Sequence, residues 1–482
     1  MCGIAGQVAS PGGTVERETV ERMRDRLVHR GPDSSGLHLE PGVALGVRRL
    51  AIIDVAAGDQ PIYNEDRSVA VVSNGEIYNF AELRERLRAR GHRFATGADT
   101  EVIAHLYEER GPRLVEDLRG MFAFALWDAA NRRLVLARDR VGKKPLLYWE
   151  RDGALSFASE LAALLEDRRI PRRMDVQAID AYLAFLYVPH PLSAIEGVRK
   201  LPPASTLVWE DGTSRLERYW HLDFARKEAG SEEELGERIR SHLREAVRLR
   251  LVSERPLGAF LSGGVDSAAV VATMAELSPQ PVKTFSIGFD SDRFNELPHA
   301  RRVAKLFGTD HTEHVVTADA VSILPKLITH YGDPFGDSSA IPSYYVARAA
   351  REDVVVALNG DGGDESFAGY NRYVSNTLAE RLEAVPLFAR RGLAAVAGRF
   401  PEPESPSSNP ARIRRLALSL PLPAAERYAM RMTYCSEELR DELYAAGLRA
   451  GLNGRFAHRV IAEPWRASAA ASPVDRMLDV DV

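Results

Sequence analysis

A thiol stands one residue from the start of the chain, in Met1-Cys2-Gly3-Ile4-Ala5-Gly6. Removal of Met1 would give Cys2 both a nucleophilic sulfur and a free α-amine, whose ordinary pKa of about 7.7 to 8.0 suits it to take the thiol proton. Taken alone, Cys2 reads equally well as a small residue tolerated at this position, since isolated cysteines are usually inert. Neighbouring features shift that balance. Asn74-Gly75 follows the apolar run Val69–Val72. An Asn amide beside a Gly N–H at a strand end offers two donors to a tetrahedral oxyanion, although an Asn-Gly hairpin turn is the commoner explanation. Arg49 could pair with a carboxylate and Asp99 could accept from an α-ammonium, yet each could equally be half of a surface ion pair.

A second set of residues suits phosphate. Leu261-Ser262-Gly263-Gly264-Val265-Asp266-Ser267 lies between an apolar strand and a helix, where backbone N–H groups face an anion. It lacks the Lys of the G-x-x-x-x-G-K-[ST] loop, so γ-phosphate transfer of the kinase type is not expected. Asn359-Gly360-Asp361-Gly362-Gly363-Asp364-Glu365 follows another apolar strand. Both loops are expected at the carboxyl ends of parallel strands, where such sheets bind ligands. Asp266 and Asp364 are the magnesium candidates, against the alternative that the acidic loop is an ordinary solvated turn. His311 and His314 are read as lying in a solvated turn, because no convergent third ligand accompanies them. Cys435 is read as a buried small hydrophobe.

The elements that must position these groups fall into two styles. Short strands are expected at Val43–Leu45, Ala51–Ile53, Val69–Val72, Phe122–Trp127, Leu134–Ala137, Leu146–Tyr148 and Leu155–Ala158, with amphipathic helices at Val15–Val28, Phe80–Arg90 and Glu101–Glu109. That is a layered α+β pattern. Beyond the charged helix Ser231–Leu251, strands and helices alternate: Leu257–Leu261, Ser267–Leu277, Val282–Phe289, Leu297–Phe307 and Asp353–Leu358. Alternation of this kind indicates a parallel α/β sheet. From Val374 onward the chain reads as helices covering that sheet.

A length of 482 residues allows about three domains at the usual size, and 45% hydrophobic with 27% charged residues excludes wholesale disorder. A net charge of −5 gives no global field for nucleic acid or an anionic membrane. Two cysteines cannot build a disulfide framework, which suits a reducing cytoplasm. No apolar stretch approaches the roughly 20 residues of a membrane span.

Met1-Cys-Gly-Ile-Ala-Gly6, His29-Arg-Gly-Pro-Asp33, Arg49-Leu-Ala-Ile-Ile-Asp54, Asn74-Gly-Glu-Ile-Tyr-Asn79 and Gly120-Met-Phe-Ala-Phe124, in that order, resemble the class II glutamine amidotransferase domain of the asparagine synthetases. Ser-Gly-Gly-x-Asp-Ser resembles the pyrophosphate loop of the ATP-pyrophosphatase enzymes. The resemblance implies an N-terminal-nucleophile αββα sandwich over residues 1–205, a linker at 206–230, and an ATP-pyrophosphatase domain over 231–482. It implies Cys2 as nucleophile and Asn74 with Gly75 as oxyanion hole. Arg49, Leu50, Ala51, Ile52, Ile53, Glu76 and Asp99 would surround glutamine. Leu261, Ser262, Gly263, Gly264, Asp266, Ser267, Ile287, Asn359 and Gly360 would meet ATP, and Asp266 and Asp364 would meet Mg2+.

Many asparagine synthetases carry Ser-Gly-Glu-Gly-Ser-Asp-Glu where this chain has Asn359–Glu365, so Asp361 replaces the Glu linked to forming the acyl-adenylate. The Asp form resembles a broad bacterial branch, some of whose members amidate acceptors other than aspartate. The loop Asp333–Pro342, with Asp337, Ser338 and Ser339, is the expected acceptor contact. The implied reaction joins glutamine, ATP and a carboxylate, with aspartate the first choice, and leaves a homodimer open. In that family the synthetase domain continues past the point matched by Val482, so the chain is expected to be shortened at its C-terminus. The alternative is a chain with uncoupled glutaminase activity, or a non-catalytic binding partner.

Overall fold

Strand β1 (Gly3–Val8) starts directly after Cys2 and pairs antiparallel with β3 (Val43–Arg49), Gly3 lying opposite Arg48. In chain order the flanking elements are α1 (Arg17–Asp25), β2 (Ser34–Glu40), β4 (Ile62–Tyr63), β5 (Val69–Ile77), α2 (Phe80–Ala89), α3 (Glu101–Arg110), β6 (Gly120–Asp128), β7 (Arg133–Arg138), β8 (Leu147–Arg151), β9 (Ala154–Ala158) and α4 (Leu161–Leu164). After α5 (Val176–Phe185) come β10 (Val198–Lys200), β11 (Ser205–Glu210) and β12 (Thr213–Arg218). The computed structural model describes residues 1–289, 295–316, 320–401, 408–452 and 456–482. Two compact units result: Met1–Asp175, His190–His221 and Gly230–Gly360 form one, and Val176–Pro189, Leu222–Ala229 and Asp361–Val482 the other.

The first unit opens with two antiparallel six-stranded sheets, ordered β10-β8-β9-β1-β3-β2 and β12-β11-β7-β6-β5-β4. Successive side chains of a strand face opposite ways, and in β5 both faces are apolar. Ala70 and Val72 pack with Ile4, Leu45 and Trp127 between the sheets. Val69 and Val71 pack outward with Leu83 and Leu87 of α2 and Val102 and Leu106 of α3. On the other side Val20 and Met23 of α1 and Leu161 of α4 cover Ala5, Ala44 and Trp149. These four layers are the expected αββα sandwich.

The same unit continues with α6 (Glu232–Arg250), β13 (Leu257–Phe260), α7 (Val265–Leu277), β14 (Lys283–Phe289), α8 (Leu297–Phe307), β15 (Asp310–Val316), α9 (Ala320–Tyr331), α10 (Ala340–Ala350) and β16 (Val356–Leu358). Its four strands run parallel in the order β15-β14-β13-β16. The second unit is helical, from α5 and α11 (Gly363–Phe367) to Pro473–Asp481. Its helices, expected as a cover for the sheet, have a core of their own built on Phe185, Tyr373, Tyr428, Ile461, Trp465 and Met477. Among the described residues no helix is long and apolar enough to cross a membrane.

The structure differs from expectation at several points. Residues 51–53 are loop rather than strand, because Arg49 gathers the carbonyls of Ile53 and Asp54 at 3.1 and 2.7 Å and so withholds them from a ladder. The stretch expected to begin a linker at 206 carries β11 and β12 instead. Leu207 and Trp209 are buried in the inter-sheet core, and β11 pairs with β7 from Thr206–Ala137 to Glu210–Arg133. His311 and His314 lie on β15 rather than in a solvated turn, and both are half-buried beside β14. Cys435 is half-buried, not buried.

Candidate active site

Register brings the first group together. With Gly3 opposite Arg48, the residue before β1 meets the end of β3. Cys2 Sγ accepts from Leu50 N–H at 3.4 Å and lies 3.7 Å from Leu50 O. Burial pushes the thiol pKa up, and the Leu50 backbone opposes that shift. Arg30 Nε donates to Cys2 O at 2.9 Å, while its Nη1 donates to Glu160 at 2.8 Å. Glu160 also meets His29 at 3.0 Å. Met1 precedes the thiol with its amine buried and pushed down to about 5, mainly by desolvation.

Asn74 and Gly75 sit inside β5, opposite Ala123 and Phe122, and not at a hairpin turn. The Asn74 side chain is fully buried, yet neither its nitrogen nor its oxygen has a hydrogen-bond partner. Buried amides are almost always bonded, so an orphaned one facing no protein group is ready for a ligand. Gly75 has φ +148, and a Cβ there would meet Met121 O at 1.9 Å. Only glycine lets β5 and β6 approach so closely.

Two carboxylates stand nearby. Asp99, buried before α3, accepts from Ile77 N–H at 2.7 Å, and burial pushes its pKa up to about 6. Glu76 is pushed up to about 7, first by burial and then by Asp99. Lys144 is buried and lowered to about 8 by desolvation, with Arg30 adding to it. The fields of the amine, Arg49 and Asp99 all reach Cys2. Arg49 itself is occupied: besides the two carbonyls, it donates to Asp59 at 3.0 Å. Its visible role is therefore to shape the loop that carries Leu50, Ala51, Ile52 and Ile53. Arg30 and Lys144 were not singled out from the sequence, although Arg30 lies inside a quoted motif.

That loop is also held from the other half of the same unit. Glu254 accepts from Asp54 and Val55 N–H at 2.9 and 3.0 Å and donates its own N–H to Ile52 O at 3.0 Å. Arg255 Nε donates to Ala51 O at 3.1 Å.

Residues 254 and 255 lead into β13, whose far end carries the Ser262 loop. Gly263 has φ +82 and would bring a Cβ to 2.6 Å from Ala300 N. Ser262 and Ser267 hydroxyls bond at 2.9 Å, and Gly264 N–H donates to Ser262 Oγ at 3.2 Å. The turn therefore closes on the first turn of α7, where Asp266 is half-buried. Gly360 packs there too, its absent Cβ lying 2.7 Å from Ser267 N. Beside the loop is a cavity of about 300 Å³ lined by Leu261, Ser262, Phe285, Ile287, Leu297 and Val346 among others. Apolar walls next to a nest of backbone donors suit a purine with a phosphate tail.

Asp361 and Asp364 belong to the second unit, Asp361 exposed and Asp364 on α11. Asp333 in the expected acceptor loop is taken up by Lys200 at 2.8 Å, Ala194 N–H at 2.9 Å and Ser193 at 3.1 Å. Asp337, Ser338 and Ser339 are exposed, as their loop position implied.

A family model described as a glutamine amidotransferase domain matches residues 1–220, and one described as asparagine synthase matches 238–482. The chain is 37% identical to asparagine synthetase [glutamine-hydrolyzing] 1 of Bacillus subtilis over 83% of its length and 64% of that protein. It is 34% identical to a putative asparagine synthetase of Methanocaldococcus jannaschii, covering 81% and 79% of the two chains. A putative asparagine synthetase of Mycobacterium tuberculosis is 33% identical over 100% of this chain and 76% of its own. The chain thus spans just under two thirds of the Bacillus relative.

Proposed function

This chain belongs to the asparagine synthase family, and on that premise we propose that it is an ATP-dependent amidotransferase using glutamine as nitrogen donor. The observation that carries the reading is the buried Asn74 amide with no protein partner, on the strand whose Ile77 N–H is bonded by Asp99, a carboxylate within electrostatic reach of the Cys2 thiol. With Met1 removed, the Cys2 amine takes the thiol proton and the thiolate attacks the glutamine carboxamide carbon. Asn74 Nδ2 and Gly75 N–H receive the oxyanion. Ammonia leaves, and water releases glutamate from the thioester. Asp99 and Glu76 offer carboxylates to the α-ammonium of glutamine, and the Arg49-shaped loop lines the pocket.

In the second half-reaction the acceptor carboxylate attacks the α-phosphorus of ATP, pyrophosphate leaves, and ammonia displaces AMP from the acyl-adenylate. Leu261 and Ile287 line the adenine cavity, and Ser262, Gly263, Gly264 and Ser267 cradle phosphate, with Asn359 and Gly360 alongside. Asp361 is the residue proposed for adenylate formation. Magnesium, which screens phosphate charge when bound, would be held by Asp266, with Asp364 kept as the second candidate. Asp266 fits, since it is half-exposed on the first turn of α7 beside the phosphate loop. Aspartate is the proposed acceptor. Ammonia passes between the half-reactions inside the protein, which keeps it neutral and away from water.

Cys2→Ala tests this division. Glutamate release should fall by at least about a thousandfold, while pyrophosphate release with added ammonia persists. Loss of both in a folded variant would count against separate sites.

A further inference from the structure

On the outer side of the amidotransferase half, four side chains from three stretches of chain converge: Glu65 after β4, His92 between α2 and α3, and His105 and Glu108 one turn apart on α3. One ligand atom from each lies within 4.8 Å of the others. His105 Nδ1 is 3.2 Å from Glu65 Oε2 and 3.5 Å from Glu108 Oε2. His92 Nδ1 is 3.3 Å from Glu65 Oε1 and 3.5 Å from Glu108 Oε2. Ligands bound tetrahedrally at about 2.0–2.1 Å from zinc stand about 3.3–3.4 Å apart, so these four separations lie near those a zinc ion would impose, with Glu65 turning one oxygen to each histidine.

His105 is 0% exposed, and neither ring nitrogen makes a hydrogen bond. The carboxylates around it are near enough for ion pairs but are not in hydrogen-bond geometry. The buried ring nitrogens are therefore left to a further partner, which a metal ion would supply. The outer contacts fit the same picture. His105 Nε2 faces Glu101 at 3.6 Å and His92 Nε2 faces Glu109 at 3.6 Å. The carboxylates behind the far nitrogens stand where they would steady each ring once Nδ1 ligates a metal. Glu101 is itself held by Ala95 and Thr96 N–H at 2.6 and 2.8 Å, Glu108 by Asn64 at 3.0 Å, and Glu65 by Arg93 N–H at 2.8 Å.

We propose that Glu65, His92, His105 and Glu108 form a structural site for a divalent transition metal, with zinc the best fit. Two neutral imidazoles and two carboxylates balance its charge and match its borderline ligand preference. Four protein ligands close the shell, so the ion has no open position for catalysis. It ties the turn after β4 and the segment from His92 to Asp99 onto α3. This inference stands apart from the proposed reaction.

The test uses the full chain in a Cys2→Ala background, so that the thiol does not compete, stripped with chelator and titrated with Zn2+ by calorimetry. Elemental analysis gives stoichiometry, and Co2+ replaces zinc as a spectroscopic probe. Expected are one ion per chain, a tetrahedral Co2+ visible spectrum, and affinity at least about tenfold weaker in His92→Asn and in Glu65→Gln/Glu108→Gln. These positions are exposed or half-buried, so the variants should fold, with circular dichroism as the check. Failure to bind a stoichiometric ion, or unchanged affinity in the Glu65→Gln/His92→Asn/Glu108→Gln chain, would overturn the proposal.

Discussion

The Asn74 side chain makes no hydrogen bond in the free protein, so truncating it removes none. Asn74→Ala should therefore lower kcat for glutamate release by about 10²–10³ while the melting temperature moves only a few degrees. A large loss of stability with kcat unchanged would make the amide a packing group. Asp99 allows a pH test. Its carboxyl titrates near 3.8 unfolded and about 6 folded, so ionisation opposes folding. The Asp99 contribution to stability should fall as pH rises through that window, by on the order of 3 kcal/mol, and stay level above it, and the difference between wild type and Asp99→Asn isolates it. Asp99→Asn should match wild type near pH 4, exceed it in stability above pH 6, and bind glutamine more weakly. Residue type and motif offered Cys2, Asn74 and Asp99 as candidates, each beside an ordinary alternative, and what the fold adds is that all three are buried. Arg30 and Lys144 were not, since one Arg or Lys among 63 gives no local signal until the fold buries it.

At the scale of elements, β13 and the residues before it link the two loops. Glu254 holds Asp54 and Val55 at one end, and the Ser262 turn closes the other. Glu254→Ala should raise KM for glutamine several-fold through the loosened Ile52–Val55 loop, with ammonia-dependent pyrophosphate release unchanged. Equal loss in both assays would point to general unfolding. Gly263→Ala should do the reverse, because its methyl group would press on the start of α8 and deform the phosphate loop. Pyrophosphate release should drop at least tenfold, as about 1.4 kcal/mol of strain already gives that factor, and glutamate release should persist. Periodicity found most helices and strands here. It misread Ala51–Ile53, where the Arg49 side chain turns back on the carbonyls four and five residues ahead and overrides an apolar run, and it could not see that Ser205–Arg218 returns to a sheet begun about 140 residues earlier.

For the whole molecule, length suggested about three domains and the fold gives two compact units. The first holds both Cys2 and the phosphate loop, so groups proposed for both half-reactions lie in one compact body, while Asp361 and Asp364 belong to the other. That arrangement makes coupling the central claim. The most direct measurement follows glutamate and pyrophosphate together, with glutamine, ATP and a panel of carboxylate acceptors beginning with aspartate. Expected are about one pyrophosphate and one AMP per glutamate with the true acceptor, and an amide product that Cys2→Ala forms only from ammonia. Glutamate release with every acceptor and pyrophosphate with none would contradict coupling.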